Sequence, residues 1–219
     1  MNGEWRMANG ELRGQVLKNK KKVFFLYAFY SLVTYFTTRH SPLATRMNHR
    51  KLSTTELNRL STEEFRAHEK FPIIVVLDNI RSGLNVGSIF RSADAFNVAK
   101  VVCCGITPVP PNREVLKSAL GSTETVGWEH AESTLAYVET LKVEGVQVYA
   151  IEQTENSVFI QDFKREPGVT YAFVLGNEVD GVDQSVIDSC HGALEIQQHG
   201  TKHSLNVAVC AGVVMHTVA

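Results

Sequence analysis

From Pro72 onward the apolar residues fall into short unbroken runs, separated by stretches in which they recur at helical spacing. The runs "PIIVVLD" (72–78), "KVVCCGI" (100–106), "VQVYAIE" (146–152) and "TYAFVLG" (170–176) are rich in β-branched residues and too short for buried helices. They read as strands, and "ALEIQ" (193–197) reads as a fifth. Between them, "VGSIFRSADAF" (86–96), "REVLKSAL" (113–120, stopped by Gly121), "TLAYVETLKVEG" (134–145), "QSVIDSC" (184–190) and the tail from Leu205 read as helices. "TPVPPN" (107–112) is a loop, because two prolines in succession exclude a helix. The strands are continuously apolar instead of alternating, so both their faces must be covered. That predicts an α/β domain: a parallel sheet with helices on both faces.

Upstream the pattern changes twice. "STTELNRLSTEEFRAHEKF" predicts one or two short helices between about 53 and 69, and Ser61 followed by Glu64 has the spacing of a capping box. The expected organisation is therefore a helical lead-in over 47–70 and a body over 71–219. Residues 1–46 form a basic and apolar extension. In it, Lys18 to Lys22 precede an apolar run from Val23 to Phe36, an arrangement like the first two regions of a signal peptide. The run is shorter than the roughly 20 residues that a spanning helix requires, and it is crowded with aromatics. Three readings stand: Met47 is the natural start and the upstream residues an over-extended frame, the segment targets or anchors the chain, or it is an ordinary extension. The first is preferred, and no membrane partner is expected unless residues 18–36 are a genuine targeting segment.

Charge sharpens this division. Nine of the 22 Lys and Arg lie in the first fifty residues, against only Glu4 and Glu11, so the body is net acidic. An acidic body argues mildly against nonspecific nucleic-acid binding, although a local basic cluster on one face remains compatible. The four cysteines, Cys103, Cys104, Cys190 and Cys210, sit among apolar or small neighbours with no CxxC spacing. They read as buried thiols of a reducing compartment, which favours the cytoplasm, and zinc spacing is absent.

Chemistry in an open α/β sheet belongs beyond the carboxyl ends of the strands. Three such places carry unusual residues: "LDNIRSGLNVGSIFRSADAF" with Asp78, Asn79, Asn85, Gly87 and Arg91; "FVLGNEVDGVD" with Gly176, Asn177, Glu178 and Gly181; and "HGTKHSLNVAVCAG", entered through polar residues and continued by small apolar ones. Each has a bland reading. Asn85 caps a helix starting near Val86, Arg91 is a solvated helix residue, "GNEVDG" is a turn, and Ser204 caps the last helix. Recurrence at three strand ends favours function. No GxGxxG follows a strand, and no P-loop, GxSxG elbow or metalloprotease helix motif occurs.

Taken together and in order, the segments "NVGSIFRSADAF", "FVLGNEVDGVD" and "HGTKHSLNVAVCAG" resemble motifs one, two and three of the SpoU (TrmH-type) RNA methyltransferases, members of the SPOUT superfamily. The likeness covers roughly 72–219 and extends weakly back to about 48. It implies transfer of the methyl group of S-adenosylmethionine to a ribose 2′-hydroxyl in tRNA or rRNA. It also implies a SPOUT fold with a C-terminal deep trefoil knot, and a homodimer with the active site near the subunit interface. Arg91, Asn85, Glu178, Ser204 and Asn206 fall on the family's catalytic positions. By the same resemblance Cys104, Gly105, Leu175, Gly176, Asn177, Gly181, Ile196, Ser204, Leu205 and Asn206 are expected to hold the cofactor, through backbone amides and carbonyls. No metal is expected, because a sulfonium is already an activated donor. Arg91 is expected either to take the hydroxyl proton or to grip an RNA phosphate, and the ordinary guanidinium value above ~12 makes the first role demanding. One departure is Ile196-Gln197, where the family commonly has Ile-Pro. Two alternatives remain: a SPOUT enzyme methylating a base nitrogen, and a non-catalytic RNA-binding relative.

Overall fold

A computed structural model describes residues 49–219; the readings placed on residues 1–46 lie outside them. The chain divides at Asn58 into two units. Of the first, the described part holds a 3₁₀ turn, Thr55–Leu57, braced by an Arg50–Glu56 ion pair at 2.6 Å. The second, Arg59–Ala219, carries everything below.

It begins with helix α1 (Thr62–Ala67), whose capping box is formed as the sequence predicts: the Glu64 amide donates to Ser61 Oγ, and the Ser61 amide donates to Glu64 Oε2 at 2.8 Å. Strands and helices then alternate: β1 (Phe71–Asp78), α2 (Gly83–Ala95), β2 (Val98–Cys104), α3 (Arg113–Ala119), β3 (Gly127–Ala131), α4 (Thr134–Val143), β4 (Gln147–Ile151), β5 (Val158–Phe159), β6 (Tyr171–Leu175), α5 (Gln184–Ser189), β7 (Gly192–Glu195) and α6 (Val207–Val218). The seven strands form one sheet in the order β3-β2-β1-β6-β4-β7-β5, and every pairing is parallel.

Strand alternation sorts the core into two layers. Ile73, Val75, Leu77, Val101, Cys103, Phe173 and Leu175 point to one face, where they meet Val86, Ile89 and Phe90 of α2 and Ala211, Val214 and Met215 of α6. Ile74, Val76, Val102, Cys104, Ala172 and Val174 point to the other, against Val138 and Leu141 of α4 and Val186 of α5. Burial of both faces is what the unbroken apolar runs require.

The sheet corrects the sequence reading in several places. β3 and β5 were not foreseen: β3 is an edge strand with no apolar run, and β5 has only two residues, both exposed. β2 spans 98–104 instead of 100–106, leaving Gly105 and Ile106 in the following turn, and β7 ends at Glu195 instead of 197. α2 starts at Gly83, three residues early, because Ser82 accepts from the Asn85 amide and is the cap. α6 starts at Val207 with Asn206 as its cap, not at Leu205 with Ser204.

Candidate active site

Register determines where the loops emerge. Leu77 of β1 pairs with Leu175 of β6, Leu175 pairs with Ile151 of β4, and Ile151 pairs with Leu194 of β7. The four central strands therefore end level, and the segments after Asp78, Ile151, Leu175 and Leu194 leave the sheet along one edge. Asp78, buried at that edge, fixes the geometry behind it. Its carboxylate accepts from Thr134 Oγ1 at 2.6 Å, from Asn79 Nδ2 at 2.9 Å and from the Asp183 amide at 3.1 Å, tying β1 to the starts of α4 and α5.

A cavity of about 300 Å³ opens at this edge, a volume at the lower end of small-ligand sites. Ile151, Glu152 and Gln153 line it from the end of β4, Leu175 to Glu178 and Gly181 from the end of β6, and Glu195, Ile196 and Gln198 from the end of β7. The last wall is Ser204 to Val207 with Cys210 of α6. The β6 loop is drawn into a tight turn: the Asn177 and Gly181 amides donate to each other's carbonyls at 3.1 and 3.2 Å, and Asn177 Oδ1 accepts from the Val179 and Asp180 amides, both at 2.9 Å. Gly176 is obligatory there, since a Cβ on it would collide with the backbone of Gly181 and Val182. A larger polar cavity of about 890 Å³ adjoins the first and shares with it Glu152, Gln153, Asn177, Glu178, Gly181 and Ser204.

At the mouth, the three sequence segments are joined by side chains. Asn85 Nδ2 donates to Glu178 Oε1 at 2.9 Å, and Asn206 Nδ2 donates to Asn85 Oδ1 at 3.1 Å. Glu178 also accepts from the Arg81 and Ser82 amides at 3.2 and 3.3 Å, at the amino end of α2. Burial alone would raise the Glu178 carboxyl, but hydrogen bonds from Asn85, its own amide and the amides of Arg81 and Ser82 outweigh it and hold the group below the ordinary carboxylate value. Asn85 can reach across because Ser82, not Asn85, caps α2. Asn206 serves two elements at once: its Oδ1 caps α6 by accepting from the Ala208 and Val209 amides at 2.9 and 3.4 Å, while its Nδ2 serves Asn85.

Of the residues singled out in the sequence, Leu175, Gly176, Asn177, Glu178, Gly181, Ile196, Ser204, Leu205 and Asn206 line this cavity, and Asn85 is bonded to it. Cys104, Gly105 and Arg91 neither line it nor bond to a residue at its mouth. Cys104 is fully buried among the β2 and α4 side chains, where burial pushes its thiol up to about 11. Gly105 turns away beside Asn79, with its carbonyl near His130 Nε2 at 2.9 Å. Cys104 ends β2 and Gly105 follows it, and β2 lies on the far side of β1 from the cavity. Arg91 stands exposed on α2, six residues and so roughly 9 Å of helix rise beyond Asn85.

Sequence reasoning missed seven lining residues: Ile151, Glu152, Gln153, Glu195, Gln198, Val207 and Cys210. Glu152 accepts from the Gln153 and Val182 amides at 2.9 and 3.2 Å, and Gln153 Nε2 donates to the His203 carbonyl at 2.9 Å. This dipeptide links the β6 loop to the segment before α6. Its sequence signal, a charged residue directly after a buried strand, is too ordinary to single it out. Burial, with Glu152 nearby, pushes the Cys210 thiol up to about 11.

Known proteins share both the sequence pattern and the fold. The model of the SpoU rRNA methylase family matches residues 72–216. The chain is 27% identical over 160 residues to a 23S rRNA (guanosine-2′-O-)-methyltransferase of Vibrio parahaemolyticus, covering 73% of this chain and 64% of that protein. It is 30% identical over 143 residues to a 23S rRNA guanosine 2′-O-methyltransferase of Bacillus subtilis, covering 65% of this chain and 56% of the relative. The chain thus spans about three fifths of the length of these relatives. In fold it is similar to an AdoMet-bound rRNA methyltransferase from Sinorhizobium meliloti, with a TM-score of 0.63, 24% identity, and coverage of 70% of this chain and 58% of that one. A TrmH/SpoU tRNA modifying enzyme from A. aeolicus gives a TM-score of 0.63 at 22% identity, over 71% of this chain and 79% of that one.

Proposed function

Because the chain belongs to the SpoU rRNA methylase family, we propose that it transfers the methyl group of S-adenosylmethionine to a ribose 2′-hydroxyl of tRNA or rRNA. The observation that carries this reading is the Glu178–Asn85–Asn206 chain of hydrogen bonds, which joins the three motif segments at the mouth of one cavity. The walls suit a nucleoside cofactor. Leu175 to Asn177, Ile196 and Leu205 offer backbone groups beside apolar side chains, and Gly176 keeps the backbone accessible. When bound, the sulfonium supplies an activated methyl, so the protein's tasks are to orient the ribose and manage its proton.

Glu178 is poorly suited to take that proton. Its carboxylate is committed to Asn85 and two backbone amides and is held low, so it fixes the Asn85 amide group. Arg91 is read as an anchor for the phosphate next to the target ribose, since it is exposed and outside the cofactor cavity. A homodimer completes the proposal. It is supported by apolar residues left open beside the site: Leu84 of α2 at 44%, Leu205 of the turn before α6 at 40% and Val209 of α6 at 54% exposure. The reading also includes a C-terminal trefoil knot, supported by the segment before α6 being bonded to Gln153 of the β4 loop and sharing one cavity with the β6 loop, and a cytoplasmic setting, which the free cysteines favour. Labelled S-adenosylmethionine incubated with the protein and total tRNA and rRNA, followed by nuclease digestion, tests the reaction. Label on a 2′-O-methyl nucleoside supports it. Label on a base refutes the ribose assignment, and no label refutes the enzyme.

A further inference from the structure

The charged side chains lining the 300 Å³ cavity are Glu152, Glu178 and Glu195; among the described residues no Lys, Arg or His lines it. Their acceptor capacity is spent unequally. Glu152 gives one oxygen to the Gln153 amide and the other to the Val182 amide. Glu178 gives one to Asn85 and the Ser82 amide and the other to the Arg81 amide. Glu195 is held only through Oε2, which accepts from Ser157 Oγ at 2.9 Å; its Oε1 has no hydrogen-bond partner among the described residues. It is the last residue of β7, one beyond the level of Ile151 and Leu175 and paired with Phe159 of β5, so it stands in the cavity wall with its backbone fixed by the sheet.

The geometry points to Glu195 as a specificity-determining residue that reads the positive charge of the cofactor. This deepens the proposed reaction and rests on that reading. The sulfonium donor carries one positive charge more than the demethylated thioether product, while the two share adenine, ribose and the amino-acid tail. A wall with three carboxylates and no cation stabilises the donor by Coulomb attraction and gives the product no such hold. Methyl transfer removes that charge, so the same wall favours release of the spent cofactor. Two of the carboxylates are occupied in building the loops, and Glu195 is the one with an oxygen available to the ligand.

Calorimetric titration of the full chain with S-adenosylmethionine, S-adenosylhomocysteine and sinefungin, whose amine replaces the sulfonium, tests this. Glu195→Gln, isosteric and neutral, is expected to weaken both cationic ligands about three- to fivefold, the size of one partly screened ion pair, and to leave S-adenosylhomocysteine unchanged. Raising salt with the unaltered protein is expected to weaken the cationic ligands more than the neutral one, a readout that needs no variant. Equal weakening of all three ligands would mean that Glu195 reads the shared ribose, and no weakening that it reads nothing; either overturns the inference. Failure of the unaltered protein to bind any of the three would refute the proposed function itself, a separate outcome.

Discussion

Replacing Gly176 by alanine tests the cavity wall most directly. The added methyl would fall against the carbonyl carbon of Gly181 and the amide nitrogen of Val182, both backbone atoms of the same turn. A flexible side chain could swing away from such a methyl, but this backbone cannot. The Asn177–Gly181 bridge pins the turn, and Glu152 holds Val182 through its amide. Overpacking of this kind costs about 1–3 kcal/mol. For a domain of this size each kcal/mol lowers the melting temperature by about 2–4 °C, so a cost near 2 kcal/mol predicts a fall of about 4–8 °C. Relief of the clash must push the Asn177–Glu178 segment outward, into the cavity or away from Asn85. Cofactor affinity should therefore fall about tenfold or more, since displacements near 1 Å at a site are felt at that scale. Thermal unfolding and calorimetric titration with S-adenosylmethionine measure both. A variant that melts within about 1 °C of the parent and binds equally well would show that the turn yields freely, and the account of a rigid wall would fail.

Three further outcomes are expected. Arg91→Ala should reduce methyl transfer by at least about a hundredfold while leaving S-adenosylmethionine affinity within about twofold, because Arg91 lies outside the cavity lining; a parallel loss of affinity contradicts the placement. Glu178 should make folding stability sensitive to acid. Folding lowers its carboxyl below the ordinary 4.5, so its contribution is complete above that value and is lost as pH falls through the lowered one; Glu178→Gln should flatten that part of a denaturant-midpoint profile against pH. Cys210, with its thiol raised to about 11, should react slowly with iodoacetamide at pH 7, where only about one thiol in ten thousand is ionised, and S-adenosylmethionine should slow it further; peptide mapping after alkylation reads both.

The sequence carried the sheet because parallel strands buried on both faces leave an unmistakable trace. β1, β4 and β6 each carry an apolar run whose only polar residues lie at the strand ends, and in β2 the run Val101–Cys104 follows Lys100. β3 left no such trace: Gly127–Ala131 is held by β2 along one side, its residues are exposed or only half-buried, and Trp128 is 37% exposed. Edge position removes the periodic signal along with the burial. The site was legible where glycine and polar residues cluster after a strand, as in Gly176 to Gly181. Glu152, Gln153 and Glu195 were not, because a polar or charged residue at the carboxyl end of a strand is ordinary unless one knows which strands end side by side. That knowledge lies in the order β1-β6-β4-β7, which the local pattern does not contain. The same order places Cys104 and Gly105 away from the cavity, although they too lie at the carboxyl end of a buried strand.

The bland readings and the functional ones turn out to be one arrangement in different hands. Ser82 takes the capping of α2, and this releases Asn85 from local work; Asn206 takes the capping of α6 from Ser204 and still has its amide nitrogen to spare. An asparagine side chain is both donor and acceptor, so Asn85 can accept from Asn206 while donating to Glu178. Aspartate at position 85 would put a carboxylate against Glu178 and lose the donor; serine would be too short to span both partners. Asparagine at 85 and 206 and glutamate at 178 thus form a directional relay in which each group's role depends on the next. Three stretches separated by 93 and 28 residues are brought together by that relay. The polar entry to the final helix follows from it: the segment before α6 must supply hydrogen-bonding groups to a cavity and a cap to a helix within a few residues, and Asn206 does both.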